Sequence, residues 1–120
     1  MANKVKVAFV LPEPLQKDFK SHMVQDGYDL KGKSRWVSEA VEMLLQLSDY
    51  ADLVKLNDEM SGFDKLESVV IERSLKKMMV EAAVNVRKKY PSIEGVQSRI
   101  VRTAIVQRLI RNVESSVTEL

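Results

Sequence analysis

The sequence predicts a mainly α-helical fold with a two-stranded antiparallel β-ribbon, in the order β-α-α-β-α-α within one compact domain. The octet SRWVSEAV at residues 34–41 recurs as SRIVRTAI at residues 98–105, an offset of 64 residues. Each octet follows a short β-prone stretch, a helical segment and a glycine-containing loop, in the same order. This self-similarity indicates a duplicated unit, with the first copy in residues 1–60 and the second in residues 61–120.

The first unit opens with a strand and continues with two helices. Residues 4–12, KVKVAFVLP, alternate in polarity before Pro12 ends the strand. Apolar residues recur every four positions in the following segment, which predicts a helix that ends near Gly27. Ser34 is a typical N-cap for the second helix. The apolar stripe of that helix comprises Trp36, Val37, Ala40, Val41, Leu44 and Leu45. Its helical spacing favours core packing of Trp36 over stacking on a base.

The segment after this stripe separates the two units. The acidic stretch SDYADLVKLNDEM at residues 48–60 either prolongs the helix or begins the linker. The following SGFD at residues 61–64 contains a glycine and is the clearest boundary.

The second unit repeats the order of elements. LESVVIE at residues 66–72 is β-prone, although Glu67 falls at an inward position, which argues for a strand start as late as Ser68. The loop PSIEGVQ precedes a last helix with Ser98 as its expected cap. The interval from strand to cap is about four residues longer than in the first unit, and we place the additional residues in the first helix and loop.

One strand in each unit has a structural consequence. A lone strand cannot satisfy its backbone N–H and C=O groups, so the two strands are expected to pair with each other within the chain. Val5, Val7, Phe9 and Leu11 then face the helices, together with Val69 and Ile71. The opposite face stands in solvent, and an exposed two-stranded ribbon fits a DNA major groove.

These features resemble the ribbon–helix–helix DNA-binding family, the fold of MetJ and Arc. The stretches VAFVLPEPL and GKSRWVSEAVEMLL carry the resemblance in the first unit. SVVIERSL and GVQSRIVRTAIVQRLI carry it in the second unit, which lacks the proline after the strand. Family members normally dimerise, whereas a few, such as the relaxosome protein TraY, carry both halves in one chain. The resemblance implies a tandem, single-chain pseudo-dimer over roughly residues 4–47 and 65–111.

The resemblance also implies which residues contact DNA. Alternate outward side chains of the ribbon read bases: Lys4, Lys6, Ala8, Val10, Leu66, Ser68 and Val70. A lysine donates to guanine and small apolar groups touch thymine methyls. The start of each second helix binds backbone phosphate, with the side chains of Lys31, Lys33, Ser34, Arg35, Ser98 and Arg99. The alternative interpretation of Lys4 and Lys6 is that they are edge-strand charges that discourage aggregation.

Charge is distributed unevenly along the chain. Residues 1–35 have seven basic and four acidic residues, residues 36–64 have one and seven, and residues 65–112 have eleven and four. Both repeats are therefore basic, which fits a polyanionic partner. The chain has no cysteine and one histidine, so disulfides and thiolate metal sites are excluded and no catalytic constellation is present. We expect no enzyme activity, no cofactor and no bound metal.

Double-stranded DNA is the expected partner, bound by a transcriptional repressor. The alternative is an accessory protein at a plasmid or mobile-element transfer origin or partition site. A third possibility, of another class, is a helical interaction module such as an antitoxin that binds a protein partner through acidic residues 46–60. No membrane span or signal peptide is predicted, so the expected location is cytoplasmic and nucleoid-associated. The chain is expected to be a monomeric pseudo-dimer, alone or in cooperative multimers on DNA.

Overall fold

The structure, a computed structural model, describes residues 3–56 and 65–118. The fold is mainly helical, with a two-stranded antiparallel sheet. Its elements are β1 (Lys4–Leu11), α1 (Glu13–Gln25), a 3-10 turn (Leu30–Gly32), α2 (Lys33–Leu45), α3 (Tyr50–Leu56), β2 (Lys65–Glu72), α4 (Arg73–Lys89) and α5 (Val96–Thr118). The predicted boundary at residues 61–64 and the end of the acidic segment, residues 57–60, lie outside the described residues.

The two strands pair with each other within the chain, as predicted. All eight residues of β1 pair antiparallel with β2, from Lys4 opposite Glu72 to Leu11 opposite Lys65. Alternation along both strands directs one side of the ribbon inward. The buried apolar residues of that side are Val7, Phe9, Leu11, Val69 and Ile71. Burying these side chains against the helices therefore holds the other side of the ribbon toward solvent.

The expected late start of the second strand is wrong. β2 begins at Lys65, and Glu67 lies within the ribbon opposite Phe9, with only 7% of its surface exposed. The carboxylate lies 3.0 Å from Lys20 Nζ and 3.0 Å from Lys33 Nζ, and it accepts a hydrogen bond from Gln16. Burial alone would raise the pKa of Glu67, but these hydrogen bonds together hold the pKa below its ordinary value. The inward position is tolerated because two ammonium groups pair with the buried carboxylate. Both come from the first half of the chain.

We expect Glu67→Gln to lower the free energy of unfolding by about 1–3 kcal/mol at neutral pH, because two lysines lose their anionic partner. A carboxyl with a lowered folded-state pKa stabilises the fold above its unfolded pKa of about 4.3 and ceases to do so as pH falls through the folded value. The difference between wild type and variant in urea unfolding should therefore shrink below about pH 4. The exposed Glu81→Gln is the matched control and should change stability by less than about 0.5 kcal/mol. A loss that persists unchanged at low pH would contradict an electrostatic role for Glu67.

The core lies between the ribbon and the helices, with α2 and α5 forming the largest helix–helix contact. Five of the six residues of the predicted α2 stripe are buried and Leu45 is partly buried: Trp36, Val37, Ala40, Val41 and Leu44. On α5, the buried apolar residues of the repeated octet are Ile100, Val101, Ala104 and Ile105. The expectation that Trp36 packs in the core is confirmed, since the side chain has no exposed surface.

Local sequence signals predicted one helix end correctly and two helix starts wrongly. α1 ends before Gly27, which has φ = 88° and so occupies a conformation that other residues rarely adopt. α4 has 17 residues and α1 has 13, which places the four additional residues of the second unit in this helix. The serine caps are wrong: α2 begins at Lys33 after Gly32, and α5 begins at Val96. Ser34 and Ser98 therefore lie inside the first helical turns.

The described part of the acidic segment, residues 48–56, contains a separate short helix, α3, rather than a continuation of α2. α3 packs against α4 and α5 and buries Val54 completely. Asp52 lies 2.6 Å from Lys89 Nζ and accepts a hydrogen bond from the hydroxyl of Tyr90. None of the described helices is long and apolar enough to cross a membrane.

Candidate nucleic-acid interface

The outward face of the ribbon brings together the six central residues of the predicted base-contacting set. The register places Lys6 opposite Val70, Ala8 opposite Ser68, and Val10 opposite Leu66. Directly opposed side chains in an antiparallel pair lie about 5 Å apart, so these residues form one contiguous patch. Lys6, Ala8, Leu66 and Val70 are exposed, and Val10 and Ser68 are partly exposed. The patch is apolar except for Lys6 and the hydroxyl of Ser68.

Lys4 extends the row at one end of the ribbon. Its cross-strand partner is Glu72, which is also exposed. Opposite charges at paired positions attract each other, so the positive charge of Lys4 is partly offset. Lys6, by contrast, lies opposite the apolar Val70, so no cross-strand carboxylate offsets its charge.

The dimensions of the ribbon suit a major groove. Two strands are separated by about 4.8 Å, and a strand of this length spans about 26 Å. A major groove is about 12 Å wide, which leaves room for the side chains of a two-stranded ribbon.

Each edge of the ribbon is attached to the first turn of a helix. Ser34 Oγ accepts a hydrogen bond of 3.0 Å from the backbone N–H of Val70, and Ser98 Oγ accepts one of 3.1 Å from Val10. Each serine thus binds the strand of the other unit. The two predicted anion sites therefore flank the ribbon, one beside each edge, with both hydroxyls already engaged by strand N–H groups.

Two of the three predicted cations at the start of α2 lie next to acidic groups. Lys33 contacts the buried Glu67, whereas Lys31 is exposed. Arg35 is exposed, lies over the ring of Tyr28, and places its Nε 3.4 Å from Glu39 Oε2. An open cleft of about 420 Å³ lies here between α2 and the ribbon. Its lining is Lys4, Lys31, Ser34, Arg35, Ser38, Glu39, Glu42, Val70 and Glu72, so its charge is mixed.

Glu39 remains ionised in this cleft. Burial would raise the pKa of Glu39, but hydrogen bonds from Tyr28 and Arg108 and the charges of Arg108 and Arg35 lower it. Near neutral pH the α2 side of the ribbon therefore keeps a negative charge close to Arg35.

The start of α5 has a different composition. Arg99 is partly exposed, and its Nε donates a hydrogen bond of 2.8 Å to the carbonyl of Glu94. Arg102 is buried and donates to the carbonyl of Val10 at 3.0 Å and to Ser98 Oγ at 3.2 Å. Burial lowers the pKa of Arg102, and the nearby charge of Arg99 lowers it further. Arg99 and Arg102, three positions apart on α5, are therefore neighbours on one face of the helix beside this edge.

Arg102 was not among the residues predicted from sequence. It follows Ser98 by one helical turn, a spacing that places both on the same face of α5. The repeat offset aligns Arg102 with Ser38, so a comparison of the two units marks it as a charge present in only one copy. Its contact with Val10, 92 residues away, has no local signal.

Comparisons with known proteins neither extend nor restrict this interpretation. No family model, curated protein or solved structure matches the chain significantly.

Proposed function

We propose that this chain is a double-stranded-DNA-binding protein of the ribbon–helix–helix type, a tandem pseudo-dimer that inserts its β-ribbon into the major groove and acts as a transcriptional repressor. The observation that carries the proposal is the outward face of the ribbon. It is exposed, contiguous, and flanked on both edges by helix starts that bear arginines. In this arrangement the helix starts position the protein on phosphates and the ribbon contacts bases.

Lys6 provides the sharpest test of base contact. Lys6→Ala should weaken binding by about 1–3 kcal/mol on the duplex that the protein selects from a random pool, and much less on random duplex. The reason is that the ammonium group would meet guanine acceptors on the groove floor. Folding should be unchanged, because the side chain is exposed. Equilibrium titrations with both duplexes measure the specificity ratio.

Lys88→Ala is the matched control for Lys6→Ala. It also removes one exposed lysine charge, but near the end of α4. That position lies about 20 Å along the helix from the end of the ribbon. It should leave the specificity ratio unchanged. Equal losses for Lys6→Ala on both duplexes would mean that Lys6 contacts only phosphate, and base reading would then rest on Ser68 and the apolar positions.

The same DNA contact also suits an accessory protein at a transfer origin or partition site, and the tandem arrangement in one chain favours this second candidate. The two roles differ in where the preferred site lies. Locating the selected sequence in the source genome separates them, because a repressor site overlaps a promoter and an accessory site lies at the transfer or partition locus.

The antitoxin alternative has less support. In the described part of the acidic segment, residues 46–56, Asp52 is engaged with Lys89 and Tyr90 of the same chain. That carboxylate is therefore less available to an external protein.

A further inference from the structure

The backbone of the ribbon is related by a pseudo-twofold axis, but the side chains at equivalent positions differ. Ala8 lies opposite Ser68, so an axis through this pair relates each residue of β1 to the residue 60 positions later in β2. The two serine–strand hydrogen bonds follow this relation, because Val10 corresponds to Val70. Lys6, however, corresponds to Leu66, which is 72% exposed. One end of the outward face therefore carries a cation and the other a large apolar group.

The cross-strand register sharpens this difference. Lys6 stands beside Val70 at one end, and Leu66 stands beside Val10 at the other. A lysine finds its acceptors on guanine, whereas apolar side chains find a partner in the thymine methyl. The two halves of the face thus suit different base pairs.

The starts of the two flanking helices also differ in charge. Val70 is attached to α2, where three carboxylates offset the three cations of the cleft. The carboxylates are those of Glu39, Glu42 and Glu72, and the cations are Lys4, Lys31 and Arg35. Val10 is attached to α5, where Arg99 and Arg102 are three positions apart on the helix and therefore neighbours on one face. The repeat offset of 64 places Thr103 and Val106 where α2 has Glu39 and Glu42. Attraction for phosphate is therefore stronger beside the apolar end of the ribbon.

We propose that this chain recognises a non-palindromic duplex and binds it in one orientation, an inference that rests on the proposed DNA-binding function. The half-site beneath Val10 and Leu66 is thymine-rich and has its phosphates held by Arg99, while the half-site beneath Lys6 contains guanine. A symmetric dimer imposes two-fold symmetry on its site. A single chain with two unequal halves is free of that constraint.

Directed DNA cleavage tests the orientation. The chain has no cysteine, so Asp29→Cys and Ser92→Cys each introduce a single thiol for an iron–EDTA label. Both positions are exposed and lie in the loops before α2 and α5. On the duplex selected from a random pool, each label should cut one flank only, and the two labels should cut opposite flanks. Equal cutting of both flanks by both labels would overturn the proposal, whereas the absence of any complex would overturn the proposed function itself.

Three substitutions test the cause of the orientation. Leu66→Lys makes the ends of the ribbon alike without touching the core, and it should shift the selected site toward guanine in both halves. Arg99→Ala should weaken binding about fivefold or more, whereas Arg35→Ala, which removes a charge already close to Glu39, should weaken it about twofold or less. An unchanged selected site would show that position 66 does not read a base, and equal losses for the two arginines would show that the two flanks attract phosphate equally. Either result would overturn the proposed cause of the orientation.

Discussion

Raising the salt concentration from about 50 to about 200 mM should weaken binding to duplex DNA by about two to four orders of magnitude. The cations that flank the ribbon would displace counterions from about four to eight phosphates. Log K should then fall against log salt with a slope of about −4 to −7. The effect is large because each displaced counterion contributes separately to the slope.

Fluorescence anisotropy with a labelled duplex across this salt range measures the slope. Arg99→Ala should make the slope less negative by about one, because one phosphate contact is lost. Neither value should depend on the sequence of the duplex, since phosphate contacts carry no base information. A slope near zero would remove DNA as the partner and leave a protein-interaction role.

Replacing Trp36 by alanine should lower the free energy of unfolding by about 3–5 kcal/mol. The indole is fully buried, and its ring centroid lies 5.5 Å from that of Phe19. Its Nε1 donates a hydrogen bond of 2.8 Å to Asp26, and the guanidinium of Arg108 lies 4.5 Å from the ring centroid. Truncation would leave a cavity and remove contacts to α1 and α5 at once.

Urea unfolding followed by circular dichroism measures this loss, since the variant lacks the only tryptophan. Trp36→Phe keeps an aromatic ring but not the Nε1 donor, and should cost less, about 1–2 kcal/mol. DNA affinity per folded molecule should change little in either variant. A selective loss of DNA binding with stability intact would instead identify Trp36 as a base-stacking residue.

Much of the fold could be predicted because its signals are local. The alternation of Val5, Val7 and Phe9 predicts both the strand and the outward position of Lys6, since the side-chain period of a strand is two. The repeated octets likewise predicted two equivalent helices whose apolar stripes are buried. α3 was less predictable, because its apolar stripe is short and its stability depends on packing against α4 and α5.

Among the predicted site residues, those on the ribbon depend on local signals and those at the helix starts depend on tertiary contacts. The six central ribbon positions follow from period and register, and they share one face. The helix-start residues do not follow so simply. Lys33 contacts the inward Glu67 of the other unit, and Ser34 and Ser98 hold strand edges instead of capping their helices.

The sequence by itself determined the kinds and order of the elements apart from α3, and the inward and outward faces of the ribbon. Periodicity and turn residues act between near neighbours in the chain, so these features can be predicted from the sequence alone. Only the tertiary structure decided which charges remain available beside the ribbon. The deciding contacts join Lys33 to Glu67 and Arg102 to Val10, residues 34 and 92 positions apart. Their energies depend on burial and distance, which arise only when the two units pack together.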